Sequence, residues 1–231
     1  MQAVLHGEGV VVKPTPQLFN PEDFESFYQQ GPDPYGYKDK NQALENWRVR
    51  VSVAARLLEF ARERGIGRWP VARLLDFGCG EGITLKSVIE STNMNPDLIA
   101  GCDASKTAVS RCREKAFPEG AETDFRVVAL GWGNELPWEN ESFDLVQVFG
   151  VLYSFKREEE ELRAALAELV RVTAEGGLLL LMHIETSSPQ SADGYRTSLK
   201  SLDVEPVLEH RFHAGSAGLT RGVIYRRGGV A

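Results

Sequence analysis

The sequence predicts an α/β protein: a doubly wound, mostly parallel sheet that ends in an antiparallel hairpin, preceded by an N-terminal helical arm. Three observations predict it. From about residue 70, short apolar runs alternate with segments of helical period. One run, Leu178–His183, is apolar without a break, as expected where both faces of a parallel sheet are covered. Near the end, Pro206–His213 and Leu219–Arg226 have only Ala214–Gly218 between them, the spacing of a hairpin.

Each element has its own reason. Residues 1–40 are rich in proline and in aromatics (Phe19, Phe24, Phe27, Tyr28, Tyr35, Tyr37), too apolar for a disordered tail and too irregular for a domain. They read as an arm that packs against something. From about 41, Leu44, Trp47, Val51, Ala54, Leu58 and Ala61 recur at helical spacing, and Gly65 and Gly67 end the helix. Ala72–Phe77 is a first strand that breaks into Gly78-Cys-Gly-Glu-Gly82, and a helix over about 83–91 follows with Leu85, Val88 and Ile89 on one face. Leu98–Cys102 is a second strand. Ser105 caps the next helix, which gathers Arg111, Arg113 and Lys115 where the dipole favours cations. Phe125–Leu130 and Phe143–Phe149 are the third and fourth strands. Leu162, Ala165, Leu166, Leu169 and Val170 form a helical stripe that ends on Gly176-Gly177 before the fifth strand.

Composition bounds the function. At 231 residues and 25.6 kDa, with 42% hydrophobic and 26% charged residues, the chain suits one α/β domain or two very small ones. It shows no membrane-length apolar run and no basic-then-apolar leader pattern at its start. Its three cysteines include no CxxC pair, so neither a disulfide framework nor a zinc cluster is expected, and a reduced cytoplasmic setting fits. The net charge of −7 argues against a general binder of phosphate backbones. A basic stretch, Arg48, Arg50, Arg56, Arg62, Arg64, Arg68 and Arg73, runs against that total.

The chemistry concentrates at strand ends. In Leu74-Leu-Asp-Phe-Gly-Cys-Gly-Glu-Gly82 a strand enters a glycine turn before a helix, where backbone N–H groups can approach a ligand closely. A dinucleotide fingerprint needs a third glycine where Ile83 stands, and Asp76 would repel a pyrophosphate. A ligand carrying an amino or sulfonium cation tolerates that carboxylate. Asp103 closes the second strand, placed to accept both hydroxyls of a ribose. No HExxH, GxSxG or P-loop pattern occurs, and His210 and His213 fall on opposite strand faces, so no metal site is expected.

With the Glu135–Val146 turn-strand segment and the Leu169–Leu180 helix-strand segment, these motifs resemble, over roughly residues 70–226, a class I S-adenosylmethionine-dependent methyltransferase. The resemblance implies a Rossmann-like, seven-stranded sheet with an antiparallel final hairpin. It also implies S-adenosyl-L-methionine as cofactor and S-adenosyl-L-homocysteine as product. Asp76, Gly78, Cys79 and Gly80 would meet the cofactor's amino acid end, Asp103 its ribose, Ala104 its adenine, and Phe149 and Gly150 would face it from the fourth strand. Where the family often has an acidic residue reading the adenine amino group, this chain has Trp132, followed by Gly133. The arm is similar to small-molecule N-methyltransferases of the rhizobial nodulation type, through Phe27-Tyr28, Gly31–Tyr37 and Glu45-x-x-Arg48, with Tyr35 in place of a tryptophan. Tyr28 and Tyr37 would then offer cation–π attraction to the sulfonium, and Arg48 would clamp the methionine carboxylate.

Where an acceptor must lose a proton, Tyr153 and His183 are the candidate catalytic groups at the strand ends. The expected organisation is an arm and helix over 1–69, closing over the cofactor, and a catalytic domain over 70–231. The expected acceptor is a small or medium molecule such as a sugar, an amine or a natural-product intermediate, with no nucleic-acid or membrane partner. The alternatives are a non-catalytic S-adenosylmethionine-binding protein and, disfavoured by Asp76 and Ile83, an NAD-dependent oxidoreductase.

Overall fold

A computed structural model describes residues 21–31, 42–129, 135–152, 159–184, 192–213 and 219–228. In chain order these form α1 (Pro21–Gln29), α2 (Gln42–Glu63), β1 (Arg73–Phe77), α3 (Ile83–Thr92), β2 (Leu98–Asp103), α4 (Lys106–Arg113), β3 (Glu122–Val127) and β4 (Phe143–Phe149). Then come α5 (Glu159–Val172), β5 (Thr173–Ile184), α6 (Ala192–Leu199), β6 (Val204–His213) and β7 (Leu219–Arg227). The seven strands lie in the order β3-β2-β1-β4-β5-β7-β6. Pairings from β3 to β5 are parallel, and β7 runs antiparallel to both β5 and β6. This is the predicted doubly wound sheet with its terminal hairpin.

The two sheet faces bury different residues, because side chains alternate along each strand. Leu74, Ile99, Leu145, Leu178 and Leu180 pack with Val51, Ala54, Leu58 and Ala61 of α2, Leu85, Val88 and Ile89 of α3, and Val109 and Cys112 of α4. On the other face Leu75, Val146, Leu179, Leu181 and Val223 meet Leu162, Leu166 and Leu169 of α5, and Tyr195 and Leu199 of α6. The long helix α2 thus shares one core with the sheet. Its C-terminus closes where the Ile66 N–H reaches the Ala61 carbonyl at 2.8 Å, just after Gly65 at φ +65°.

Several elements differ from expectation. The third strand begins three residues earlier than its apolar run, because β3 is an edge strand with only Phe125 buried. The fifth strand starts at Thr173, directly after α5, so Gly176 and Gly177 lie inside β5 instead of ending the helix. There the register with β4 jumps from Phe143↔Thr173 to Leu145↔Leu178, a bulge that Gly176 accommodates at φ +69°. Helices α1 and α6 were not foreseen: one falls in the segment read as irregular, the other in a stretch without a clear apolar stripe.

Candidate active site

The parallel strands β1, β2 and β4 end on one edge of the sheet, where the chain leaves each strand for a loop. At β1 the turn Gly78–Gly82 reverses the backbone with φ of +74° at Gly78 and +51° at Gly80, conformations that cost an L side chain strain. Space is short as well. A Cβ on Gly78 would fall 2.1 Å from Val151 Cγ2, and one on Gly80 would fall 2.5 Å from the Tyr28 hydroxyl. The N–H groups of Gly78 and Cys79 both donate to the Cys102 carbonyl, at 2.8 and 2.9 Å, which ties the turn to β2.

Asp103, the last residue of β2, grips the same turn. One carboxylate oxygen accepts the Gly80 N–H and the other the Ser105 N–H, each at 3.0 Å. Burial pushes its pKa up to about 6, against the lowering effect of the N–H groups of Ser105, Gly80 and Ala104. Asp76 lies one strand away, opposite Gly101 on β2 and Gln147 on β4. Burial pushes it further, to about 8; the Gln147 amide opposes this and the Asp103 charge adds to it. Two adjoining buried carboxyls therefore stand at the glycine turn, both reluctant to ionise unless a cation or hydrogen-bond donors join them.

Helix α1 covers this edge from the side of α4. Phe27 and Tyr28 are buried, their rings edge to face at 5.7 Å, and they pack on Ala108. Glu25 accepts hydrogen bonds from the Ser105 hydroxyl, the Thr107 hydroxyl and the Thr107 N–H, at 2.7, 2.7 and 3.1 Å. Burial raises its pKa, and these bonds with one from Gln29 outweigh that and bring it to about 2. Ser105 also caps α4 as predicted, accepting the Ala108 N–H at 3.1 Å. Arg111 completes the seam by donating to the Gly31 carbonyl at 2.6 Å and to Glu81 at 2.7 Å.

Of the expected site residues, Tyr28, Asp76, Gly78, Cys79, Gly80, Asp103 and Ala104 gather at this turn. Phe149 and Gly150 end β4 beside it, and the Gly150 N–H donates to the Met182 carbonyl at 2.8 Å. Arg48 does not gather there: it is exposed and lines a groove between α2 and α3 with Ser52, Ser87, Glu90 and Ser91. Arg50 comes to the strand ends instead, its Nη1 3.8 Å from where a Gly150 Cβ would stand. Residues two positions apart on a helix point about 200° from one another, so Arg48 and Arg50 face opposite ways. His183 is buried on the other face of the sheet, edge-on to Tyr195 at 4.9 Å. Burial, and then the charge of Arg221, lower its pKa to about 4. That makes it a weak base. Tyr37, Trp132, Gly133 and Tyr153 lie outside the described residues. Among the described residues, no cluster of His, Cys, Asp and Glu offers a metal site.

Sequence reasoning missed Glu25, Gln147 and Arg50. Arg50 belongs to the basic stretch of α2, and its two-residue spacing from Arg48 on a helix is the signal that the two serve different faces. Glu25 and Gln147 belong to no local pattern.

Residues 75–181, from the middle of β1 to near the end of β5, match the family model described as a methyltransferase domain. Over that span the chain is similar to a methyltransferase domain. Over 159 residues it is 36% identical to the tRNA (carboxymethyluridine(34)-5-O)-methyltransferase alkbh8 of Xenopus tropicalis, a match covering 60% of this chain and 23% of that protein. The chain thus aligns with under a quarter of that relative's length. The chain also shares its fold with the N-methyltransferase NodS from Bradyrhizobium japonicum WM9, at 16% identity and TM-score 0.61, over 79% of this chain and 96% of that one. Magnesium protoporphyrin IX methyltransferase (ChlM) from Synechocystis PCC 6803 with bound SAM is similar at 19% identity and TM-score 0.59, over 88% and 89% of the two chains. None of the described helices is long and apolar enough to cross a membrane.

Proposed function

We propose that the chain moves a methyl group from S-adenosylmethionine to a small or medium-sized acceptor at the strand ends of β4 and β5. The observation that carries this reading is α1, which lays the buried Tyr28 against Gly80, so that the chain roofs its own cofactor turn. Such a roof leaves room for a compact acceptor and excludes water from the reacting groups. On this reading residues 1–69 supply the cover and 70–231 the catalytic domain.

The turn suits the cofactor. Asp103 holds the ribose, Ala104 flanks the adenine, and Gly78, Cys79 and Gly80 present backbone to the amino acid end. Asp76, raised to about 8 by burial, regains its charge beside the ammonium group. Arg50 takes the role first given to Arg48 and pairs with the methionine carboxylate. Tyr28 faces the sulfonium region, and Phe149 with Gly150 borders the acceptor. When bound, the cofactor supplies an activated methyl group; the protein's own share is to orient the acceptor and keep the site dry. His183, lowered to about 4, stands as a neutral hydrogen-bonding group near neutral pH and not as a strong base.

A second reading, a nucleoside of tRNA as acceptor, is favoured by the identity with alkbh8, which acts on tRNA. The exclusion of nucleic acid expected from the net charge is therefore not retained. One experiment separates the two: incubation with methyl-labelled S-adenosylmethionine and either a small-molecule extract or total tRNA. Label entering only the metabolite fraction supports the first reading. Label entering only tRNA replaces it with the second, and label in neither, with intact cofactor binding, overturns methyl transfer.

A further inference from the structure

Gln147 carries a polar group that the fold itself leaves unspent. It lies in β4 between Asp76 of β1 and Leu180 of β5, its register partners on either side. Side chains alternate along a strand, so Gln147 and Asp76 project to the face where Leu74, Leu145 and Leu180 meet α2. Gln147 is fully buried and Asp76 is 2% exposed. Neither Oε1 nor Nε2 of Gln147 completes a hydrogen bond among the described residues. The amide nevertheless lies close enough to Asp76 to favour its charged form. A buried amide without a full bond is costly, and most such groups in folded proteins are satisfied.

Position limits what this amide can serve. With no exposed surface it cannot meet a ligand arriving from solvent, and on the β5 side its partner is the apolar Leu180. On the β1 side stands a carboxyl that holds its proton in the ligand-free fold. The ionisable groups around that carboxyl are Asp103 and Cys102 of β2 and Cys79 of the turn, while Arg50 of α2 reaches the strand ends beside Gly150. The charge of Asp103 opposes ionisation of Asp76, so hydrogen-bond donors must favour it. An amide N–H bonds more strongly to a carboxylate than to a neutral acid. The Gln147 amide therefore gains most when Asp76 gives up its proton to water.

We propose that Gln147 is a positioning residue for cofactor binding: its Nε2 closes on the Asp76 carboxylate when the ammonium group of S-adenosylmethionine docks there. This rests on the reading that Asp76 meets the amino acid end of the cofactor. Asp76 is then held from two sides, by the amide within the sheet and by the ammonium at the turn. The ligand-free protein bears the cost of the unpaired amide, and binding relieves it.

The test places Gln147→Met, which keeps the volume and removes the amide, in the wild-type and Asp76→Asn backgrounds. Calorimetry with S-adenosylhomocysteine should show a loss of about tenfold in the wild-type background and a change within about twofold in the Asp76→Asn background. The rise of affinity with pH should move to higher pH in Gln147→Met, because an amide that favours the charged form is gone. The ligand-free Tm of Gln147→Met should equal or exceed that of the wild type. Equal losses in both backgrounds, unchanged affinity, an unmoved pH profile or a lower ligand-free Tm overturns the proposal. Failure of S-adenosylhomocysteine to bind the wild-type chain would instead strike the cofactor reading itself.

Discussion

The carboxylate of Glu25 accepts both the N–H and the hydroxyl of Thr107, a residue 82 positions further along the chain. A negative charge at the start of α4 satisfies donors that the helix leaves open and meets the positive end of its dipole. This contact fastens α1 over the Gly78–Gly82 turn.

Replacing Glu25 with Gln should therefore loosen α1 without unfolding the sheet, costing about 1–3 kcal/mol, as for a hydrogen-bonded charge. Limited proteolysis should cut between α1 and α2 faster, and S-adenosylhomocysteine should bind more weakly. The sign with pH follows from the lowered pKa: the contribution is full above 4.5 and is lost as pH falls towards 2. Unchanged proteolysis and affinity would show that α1 is held by its aromatic residues alone.

If Asp103 holds the ribose as proposed, Asp103→Ala should weaken S-adenosylhomocysteine by roughly 1–3 kcal/mol, about tenfold to hundredfold, through loss of charge-assisted hydrogen bonds. Arg50→Ala should also weaken it, and Arg48→Ala should not, because Arg48 faces the groove between α2 and α3. Calorimetry on the three variants checks the assignment. An effect of Arg48 larger than that of Arg50 would reverse it.

Ligand affinity should rise with pH. In the ligand-free fold Asp103 holds its proton up to about pH 6 and Asp76 up to about 8, whereas both would ionise near 3.8 in the unfolded chain. Between these limits the folded state binds more protons, so these two groups make the free protein less stable as pH rises. Binding that needs the carboxylates charged gains over the same range. The increase in Tm caused by S-adenosylhomocysteine should grow from pH 5 to 8, and Asp103→Asn should flatten the lower part of that rise. A constant increase in both proteins would remove the carboxylates from the site.

Gly80→Ala should abolish tight cofactor binding, since its Cβ would meet the Tyr28 hydroxyl at 2.5 Å in a left-handed backbone. Tyr28→Phe removes that oxygen and leaves the next ring atom at 3.6 Å, an ordinary contact. The double variant should recover part of the lost stability, short of wild type by about 1–2 kcal/mol for the left-handed residue. Chemical denaturation of the four proteins measures the coupling. Additive losses would show that Tyr28 does not rest on the turn.

The sheet was legible because its signals are local. β4 is bounded as its apolar run predicts, Phe143–Phe149, and Ser105 caps α4 as its type and position imply. The Gly78–Gly82 turn and Asp103 could be read because a strand end, a glycine pattern and an acidic residue are neighbours in sequence. Where the local signal misled, tertiary surroundings had overruled it. Gly176 and Gly177 look like a helix stop, yet the pairing of β5 with β4 draws them into a bulge. β3 lies at the sheet edge, where one buried residue, Phe125, is enough.

By itself, the sequence determined the doubly wound sheet, its terminal hairpin, the glycine turn and the acidic ends of β1 and β2. These follow from periodicity and from backbone conformations that only certain residues tolerate. Only the tertiary structure decided which arginine of α2 faces the strand ends, that Glu25 secures α1 to α4, and that His183 and Arg221 share one buried face. Those relations join residues tens of positions apart, and they depend on helix phase, strand register and burial. Proximity in space sets electrostatics and hydrogen bonding, and no local pattern encodes it.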